Sequence, residues 1–281
     1  MKAEQIAEGL KFPEGPVWAG GALYFTEIAA GRVCRWTAAG GVERIAETGG
    51  GPNGATLGAD GNLYITQNGG LGRDQAARVP GAIQRVSLDG GVQLVTNAVA
   101  GIKLDAPNDL AFGPDGRLYF TDPRGDADSA KNTANGRLFA LDLRTGQGEL
   151  LRELGPVYPN GIGFDAAGVL VWVESFSRMG YRLVDGRAEP LFELPERHFP
   201  DGFCFDASGR MYVASTYAHC VSVIESGRLV ERFVCHEKGM VTNCCFGGTD
   251  LYVTESRFGT LWRIALGVQP LALRGLTALR A

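Results

Sequence analysis

The sequence predicts an all-β fold, a six-bladed β-propeller of four-stranded antiparallel blades with the last blade closed by the N-terminal strand. Three observations predict it. A hairpin signature recurs six times, its copies lie 40 to 55 residues apart, and the first residues of the chain repeat an outer-strand pattern found in blade one.

The hairpin is clearest from Ala106 to Asp122, APNDLAFGPDGRLYFTD. A polar hook (Pro107, Asn108) precedes Leu110-Ala111-Phe112. A Gly113–Gly116 turn follows, then Leu118-Tyr119-Phe120 and a final Asp122. The flanks are rich in strand formers, and Gly and Asp suit the turn. The other copies begin at Pro13-Glu14, Pro52-Asn53, Pro159-Asn160, Pro200-Asp201 and Thr242-Asn243. From hook to the next strand's first apolar residue the spacing is 10, 11, 11, 11, 11 and 9 residues in chain order. The segment AEQIAEG near the N-terminus resembles VERIAET at Val42 to Thr48, the outer strand of blade one. No blade precedes it, so Lys2 to Ala7 is expected as the outer strand of blade six. Such closure protects sheet edges.

The expected strands of blade one are Gly15 to Trp18, Leu23 to Ile28, Arg32 to Trp36 and Val42 to Ala46. Blade two starts at Gly54 and blade three is the hairpin above. Blades four and five start at Gly161 and Gly202, and blade six runs from Cys244 to Ala265. The tail from Gly267 to Ala281 is apolar enough for a further strand without an assigned place. No linker or composition shift divides residues 1–281, which are read as one domain.

Composition narrows the function. The 41 glycines and 13 prolines of 281 residues fit a turn-rich chain. A net charge of −4 with no basic stretch argues against nucleic acid or an anionic membrane as partner. No apolar run is long enough to span a bilayer, and the N-terminus lacks a signal-peptide core, so a cytoplasmic protein is expected, monomeric or weakly self-associating. The six cysteines form no C-x-x-C pair and are expected as buried free thiols, with Cys244 and Cys245 on opposite faces of a strand.

Two insertions, Gln67 to Pro80 and Pro123 to Asn135, follow second strands and so leave from the hook end of the disc. Hooks and long loops should therefore share one face, the default location for function. Arg73, Arg78, Arg124 and Lys131 lie on these loops. The hooks themselves present Glu14, Asn53, Asn108, Asn160, Asp201 and Asn243. A single Asn or Asp before a strand is commonly a turn former. Six converging oxygen-bearing side chains, two of them carboxylates, repel unless a cation or proton sits between them. This hard, all-oxygen set suits one divalent cation, Ca²⁺ first, with Mg²⁺, Mn²⁺ or Zn²⁺ as alternatives. Among the histidines, His198 is near enough to a hook to reach the pocket. Phe12, Tyr158 and Phe199, each two residues before its hook, either wall the site or pack between blades. The other outer ends of the hairpins, side by side with the hooks (Glu27, Gln67, Asp122, Glu174, Ser215, Glu255), are expected to support the hooks by hydrogen bonds. A second cation near Asp122 is a further expectation.

The segments FPEGPVW, APNDL, YPNGIGF, FPDGFCF and NCCFGG resemble those of the senescence-marker-protein, gluconolactonase and luciferin-regenerating-enzyme family, in its bacterial style. The likeness covers nearly the whole chain. It implies a six-bladed propeller with one divalent cation in its central channel, held by Glu14, Asn160 and Asp201. It also implies Asn108 as a substrate contact and Asp201 as general base in lactone hydrolysis. Animal members that act on sugar lactones carry an Arg where this chain has Ala106. The expected activity is metal-dependent opening of a small lactone or ester. Asn108, Asn53, Asn243, Phe12, Tyr158, Phe199, His198 and Arg124 are expected around the substrate. Other chemistry on the same metal, of phosphotriesterase or isomerase type, and a ligand-sensing propeller without turnover remain the alternatives.

Overall fold

A computed structural model describes residues 2–70 and 78–272. Blade one is formed by β2 (Pro13–Ala19), β3 (Ala22–Glu27), β4 (Arg32–Thr37) and β5 (Gly41–Glu47), each antiparallel to the next. The same four-stranded meander recurs from β6 (Pro52–Leu57), β12 (Leu110–Phe112), β16 (Pro159–Phe164) and β20 (Pro200–Phe205). In the sixth sheet the order is β1-β26-β25-β24, with β24 spanning Val241–Gly247, β25 Asp250–Glu255 and β26 Thr260–Ile264. The first strand, β1 (Ala3–Ala7), pairs antiparallel with β26, as the repeated outer-strand pattern predicts.

Why the second strand of every blade reads as a continuous apolar run follows from packing. Each is covered on both faces by neighbouring blades, and its alternating side chains serve two interfaces. Leu23 and Phe25 pack toward blade six, beside Tyr252 and Leu261. Tyr24 between them packs toward blade two, beside Leu63 and Ile65. The buried apolar residues accordingly fall into six clusters, one per blade interface. Cys244 and Cys245 follow the same rule, one packing with blade five and the other with blade one. All six cysteines are free, four of them buried. The ring closes with Trp18 of blade one stacked on Tyr252 of blade six, centroids 4.7 Å apart.

The tail forms no long strand within the described residues. It crosses to blade five, where Gln269 accepts the Ala207 N–H at 2.8 Å and Leu271 donates to Phe205 at 3.0 Å. A single bridge joins Asp206 and Pro270. Residues 273–281 lie outside the described residues.

Deleting residues 2–8 removes the strand that covers β26. Tm is expected to fall by roughly 2–6 °C, since partial burial of Ile6 is worth about half the 1.5–3 kcal/mol of a fully buried side chain and each kcal/mol moves Tm by about 2–4 °C in a large domain. An unchanged Tm in differential scanning calorimetry contradicts closure by β1.

Candidate active site

Five innermost strands carry a one-residue irregularity at the hook. The register shifts between Glu14 and Val17, Pro52 and Ala55, Pro159 and Ile162, Pro200 and Phe203, and Val241 and Asn243. A bulge of this kind re-aims a side chain away from the sheet's alternation. The next residue is glycine in four blades because the neighbouring blade leaves it no room. A Cβ on Gly15 (φ +49°) would lie 2.5 Å from the Asn53 carbonyl oxygen, and one on Gly161 would lie 2.5 Å from that of Asp201. Hydroxyls stitch the same seam. Thr26 donates to the Asn53 carbonyl at 2.6 Å, Thr66 to that of Asn108 at 2.5 Å and Thr121 to that of Asn160 at 2.8 Å. Ser175 donates to the Pro200 carbonyl at 2.7 Å and Ser256 to that of Pro13 at 2.7 Å.

The hooks open onto a central cavity of about 480 Å³. Glu14, Asn53, Asn108, Asn160 and Asp201 supply much of its polar lining. The three expected aromatics, Phe12, Tyr158 and Phe199, all line it. Tyr158 packs on Phe176 with centroids 5.0 Å apart, and Phe199 on Tyr217 at 5.2 Å. Phe12 and Tyr158 sit at φ 60° and 55°, a left-handed conformation that costs a bulky residue roughly 1–3 kcal/mol. Their carbonyls are pinned by the N–H groups of Ile28 and Ser175, each at 3.0 Å. Both insertions also contribute, through Asn68 and Ala127, so hooks and long loops do share one face.

Three carboxylates crowd this channel, one more than the hooks provide. Asp109 follows Asn108 at the position that is glycine in four other blades. It is buried, and one of its oxygens accepts the Leu110 N–H at 2.8 Å. Burial, and next to it the Glu14 charge, lift its pKa from an ordinary 3.8 to about 7. Burial likewise lifts Glu14 from 4.5 to about 7. Asp201 is pushed well above the usual carboxylate range by burial, then by the charges of Glu14 and Asp109. The sequence signal for Asp109 was the departure from Asn-Gly to Asn-Asp.

The residues present fit a divalent cation. Asn160 donates through Nδ2 to Ser175 Oγ at 3.1 Å, and its Oδ1 is buried without a partner. A neutral amide oxygen left bare next to carboxylates that resist ionisation is the donor set a hard cation would complete. Among the described residues no three His, Cys, Asp or Glu side chains gather into a metal cluster, so the candidate set depends on this amide.

Two expected substrate contacts stand elsewhere, and a third supports the channel carboxylates from behind. His198 lines a separate cleft with Pro195 and Arg232, and its Nδ1 lies 3.2 Å from the Glu196 carbonyl. Arg124 is drawn to Asp105, 3.6 Å away, and donates to the Asn135 carbonyl at 3.4 Å. Asn243 lies just behind the cavity lining, buried against Gly202, where its side chain hydrogen-bonds the Glu14 and Asp109 carboxylates and its Oδ1 accepts the Cys244 N–H at 2.8 Å. Lys131 pairs with exposed Asp128 at 3.0 Å, Arg78 is exposed, and Arg73 lies outside the described residues. The ring at the ends of the second strands, paired directly across from the hooks, holds main chain rather than hook side chains. Glu27 accepts the Lys11 N–H, Asp122 those of Asp105 and Ala106, and Glu255 that of Met240. Glu174 instead binds Trp172 and Ser177, and Ser215 pairs with Ser222. Asp122 is fully buried with both oxygens accepting amides, which makes it an anchor for the loop rather than a cation seat.

Comparison with known proteins agrees with this fold. Residues 12–257 match the model of the SMP-30/Gluconolactonase/LRE-like region. The chain belongs to this family. It is 26% identical over 292 residues to a gluconolactonase of Zymomonas mobilis, covering 90% of this chain and 78% of that protein. It is 27% identical over 275 residues to regucalcin of Sus scrofa, covering 90% and 86%. Among solved structures, a gluconolactonase of Xanthomonas campestris superposes with a TM-score of 0.77 at 25% identity, covering 96% of this chain and 89% of that one.

The crowded carboxylates fix a pH dependence. In chelated protein, Glu14 and Asp109 keep their protons up to about pH 7, whereas the unfolded chain releases them near 4.5 and 3.8. The native state then binds more protons between those values, so its stability falls as pH rises through this window. Tm of the chelated protein is expected to be lower at about pH 8 than at about pH 5, and added Ca²⁺ should recover it at the higher pH. A pH-independent Tm contradicts the crowding.

Proposed function

We propose that this protein is a metal-dependent lactonase, with Glu14, Asn160 and Asp201 holding one divalent cation at the cavity. The observation that carries the reading is the unpartnered, buried Asn160 Oδ1 beside carboxylates whose ionisation is suppressed. Membership in a family that includes gluconolactonases supports it. Ca²⁺ is the preferred ion for an all-oxygen set with amide donors.

When bound, the cation supplies positive charge to the carbonyl oxygen on which negative charge develops. Asp201 acts as general base, taking a proton from water as that water attacks the lactone carbonyl carbon. The ring C–O bond then breaks, and the proton on Asp201 passes to the leaving alkoxide. A hydroxy acid leaves and the carboxylate is restored. Asn160 is oriented by Ser175, which is fixed in turn by the Pro200 carbonyl. Asn53 and Asn108 line the cavity and offer amides to the substrate. Phe12, Tyr158 and Phe199 exclude water around the ring.

Asp201→Asn retains size and an oxygen but loses the base. Lactone turnover at saturating metal is expected to fall by about 10²–10⁴, with bound metal counted independently. Asn160→Asp keeps an oxygen donor and should retain measurable turnover. Near-normal turnover by Asp201→Asn rules out Asp201 as the base. A wild-type protein that binds lactone tightly without hydrolysing it is a sensor instead.

A further inference from the structure

Resting on the lactonase reading above, we infer that the site selects lactones bearing alkyl or aryl substituents over polyhydroxylated sugar lactones. The inference comes from the polar groups a substrate would find. A sugar lactone carries a hydroxyl on most ring carbons, and each needs a partner once buried.

The Ser and Thr hydroxyls lining this cavity already bond the framework. Ser175 Oγ donates to the Pro200 carbonyl at 2.7 Å and receives Asn160 Nδ2. Thr216 Oγ1 donates to the Phe199 carbonyl at 3.4 Å. Thr242 Oγ1 lies 2.9 Å from the Ser256 hydroxyl and 3.1 Å from that of Thr254. Asn68 Oδ1 accepts the Gly70 N–H at 2.9 Å. With Glu14, Asn160 and Asp201 assigned to the cation, the amides of Asn53 and Asn108 and the phenol groups of Tyr158 and Tyr217 are what remains for the substrate among the described residues. The lining contains no Lys, Arg or His among those residues. Arg124, on the insertion that reaches the cavity, is held by Asp105 and Asn135.

The rest of the surface, the faces of the aromatic rings included, is carbon. The pairs Tyr158–Phe176 and Phe199–Tyr217 come from adjacent blades, and Ile28 and Met240 join them from blades one and six. Two amides and two phenols serve a lactone's own ester group and a few further polar atoms, with no charged side chain of the lining left to pair a fully hydroxylated ring. A side chain on the ring would lie against the aromatics and Met240, where apolar burial is favourable. The cavity's 480 Å³ falls within the roughly 300–1,000 Å³ of small-ligand pockets, room for a ring with a substituent.

The test compares gluconolactone with δ-decalactone and dihydrocoumarin on Ca²⁺-loaded full-length protein, each kcat/KM divided by the lactone's own hydroxide-catalysed rate. The alkyl and aryl lactones are expected to lead by at least about 10²-fold, the discrimination a hydroxyl can bring in an apolar pocket. Met240→Gln, checked for an unchanged Tm, should lower kcat/KM for δ-decalactone by about tenfold or more and leave gluconolactone level or improved. Gluconolactone equal to or better than the other two overturns the inference. If no lactone is hydrolysed, titration calorimetry with inert lactams separates the two claims. An alkyl δ-lactam binding tighter than gluconolactam upholds the ligand class while the hydrolase reading fails, and equal or reversed affinities overturn the ligand class itself.

Discussion

The structure depends on how tightly the innermost strands meet at the channel. Where Gly15, Gly54, Gly161 and Gly202 face the next blade, a methyl group has no room. The blades can approach this closely because the carbonyls at the seam have partners. Thr26, Thr66 and Thr121 each reach across to the hook of the following blade. In the same region the Gly54 N–H donates to the Asn108 carbonyl at 2.8 Å. With the backbone pinned, the hook side chains have little freedom to swing apart. The channel chemistry is therefore a consequence of interblade packing, and strain at Phe12 and Tyr158 is tolerated because their carbonyls are fixed too.

The two ends of the hairpins show how similar residues come to differ in role. Both rings contain carboxylates and amides. At the ring on the second strands, the lone pairs are filled by main-chain N–H groups, as in Asp122 with Asp105 and Ala106. There the acids fasten the loops that lead into the hooks. At the hooks, Asn160 Oδ1 is unfilled and Glu14, Asp109 and Asp201 disfavour each other's charge. A ring whose oxygens are satisfied by the fold is structural, and one whose oxygens are left over is equipped for a ligand.

Much of the fold was legible because the hairpin repeats. The hook spacing gives the blades, and AEQIAEG gives the closing strand, now seen as β1 on β26. The cavity aromatics were legible as positions but not as walls, since either face of a blade is apolar. Asp109 escaped notice because it sits where a glycine is the pattern, and only the packing shows a carboxylate turned into the channel's charge cluster. His198 and Arg124 stand away from the cavity lining for a different reason. Nearness in sequence to a hook does not set direction. The chain turns at Arg197 (φ 67°), with the His198 N–H donating to the Pro195 carbonyl at 3.1 Å. Arg124 answers to Asp105, on the loop entering its own blade, a pairing that local sequence does not encode.

The most direct measurement is an anomalous difference map from crystals grown with Ca²⁺. The account expects one strong peak in the central channel, with Glu14, Asn160 Oδ1 and Asp201 at about 2.3–2.6 Å. A channel without a peak, or a peak coordinated by residues other than these three, contradicts it.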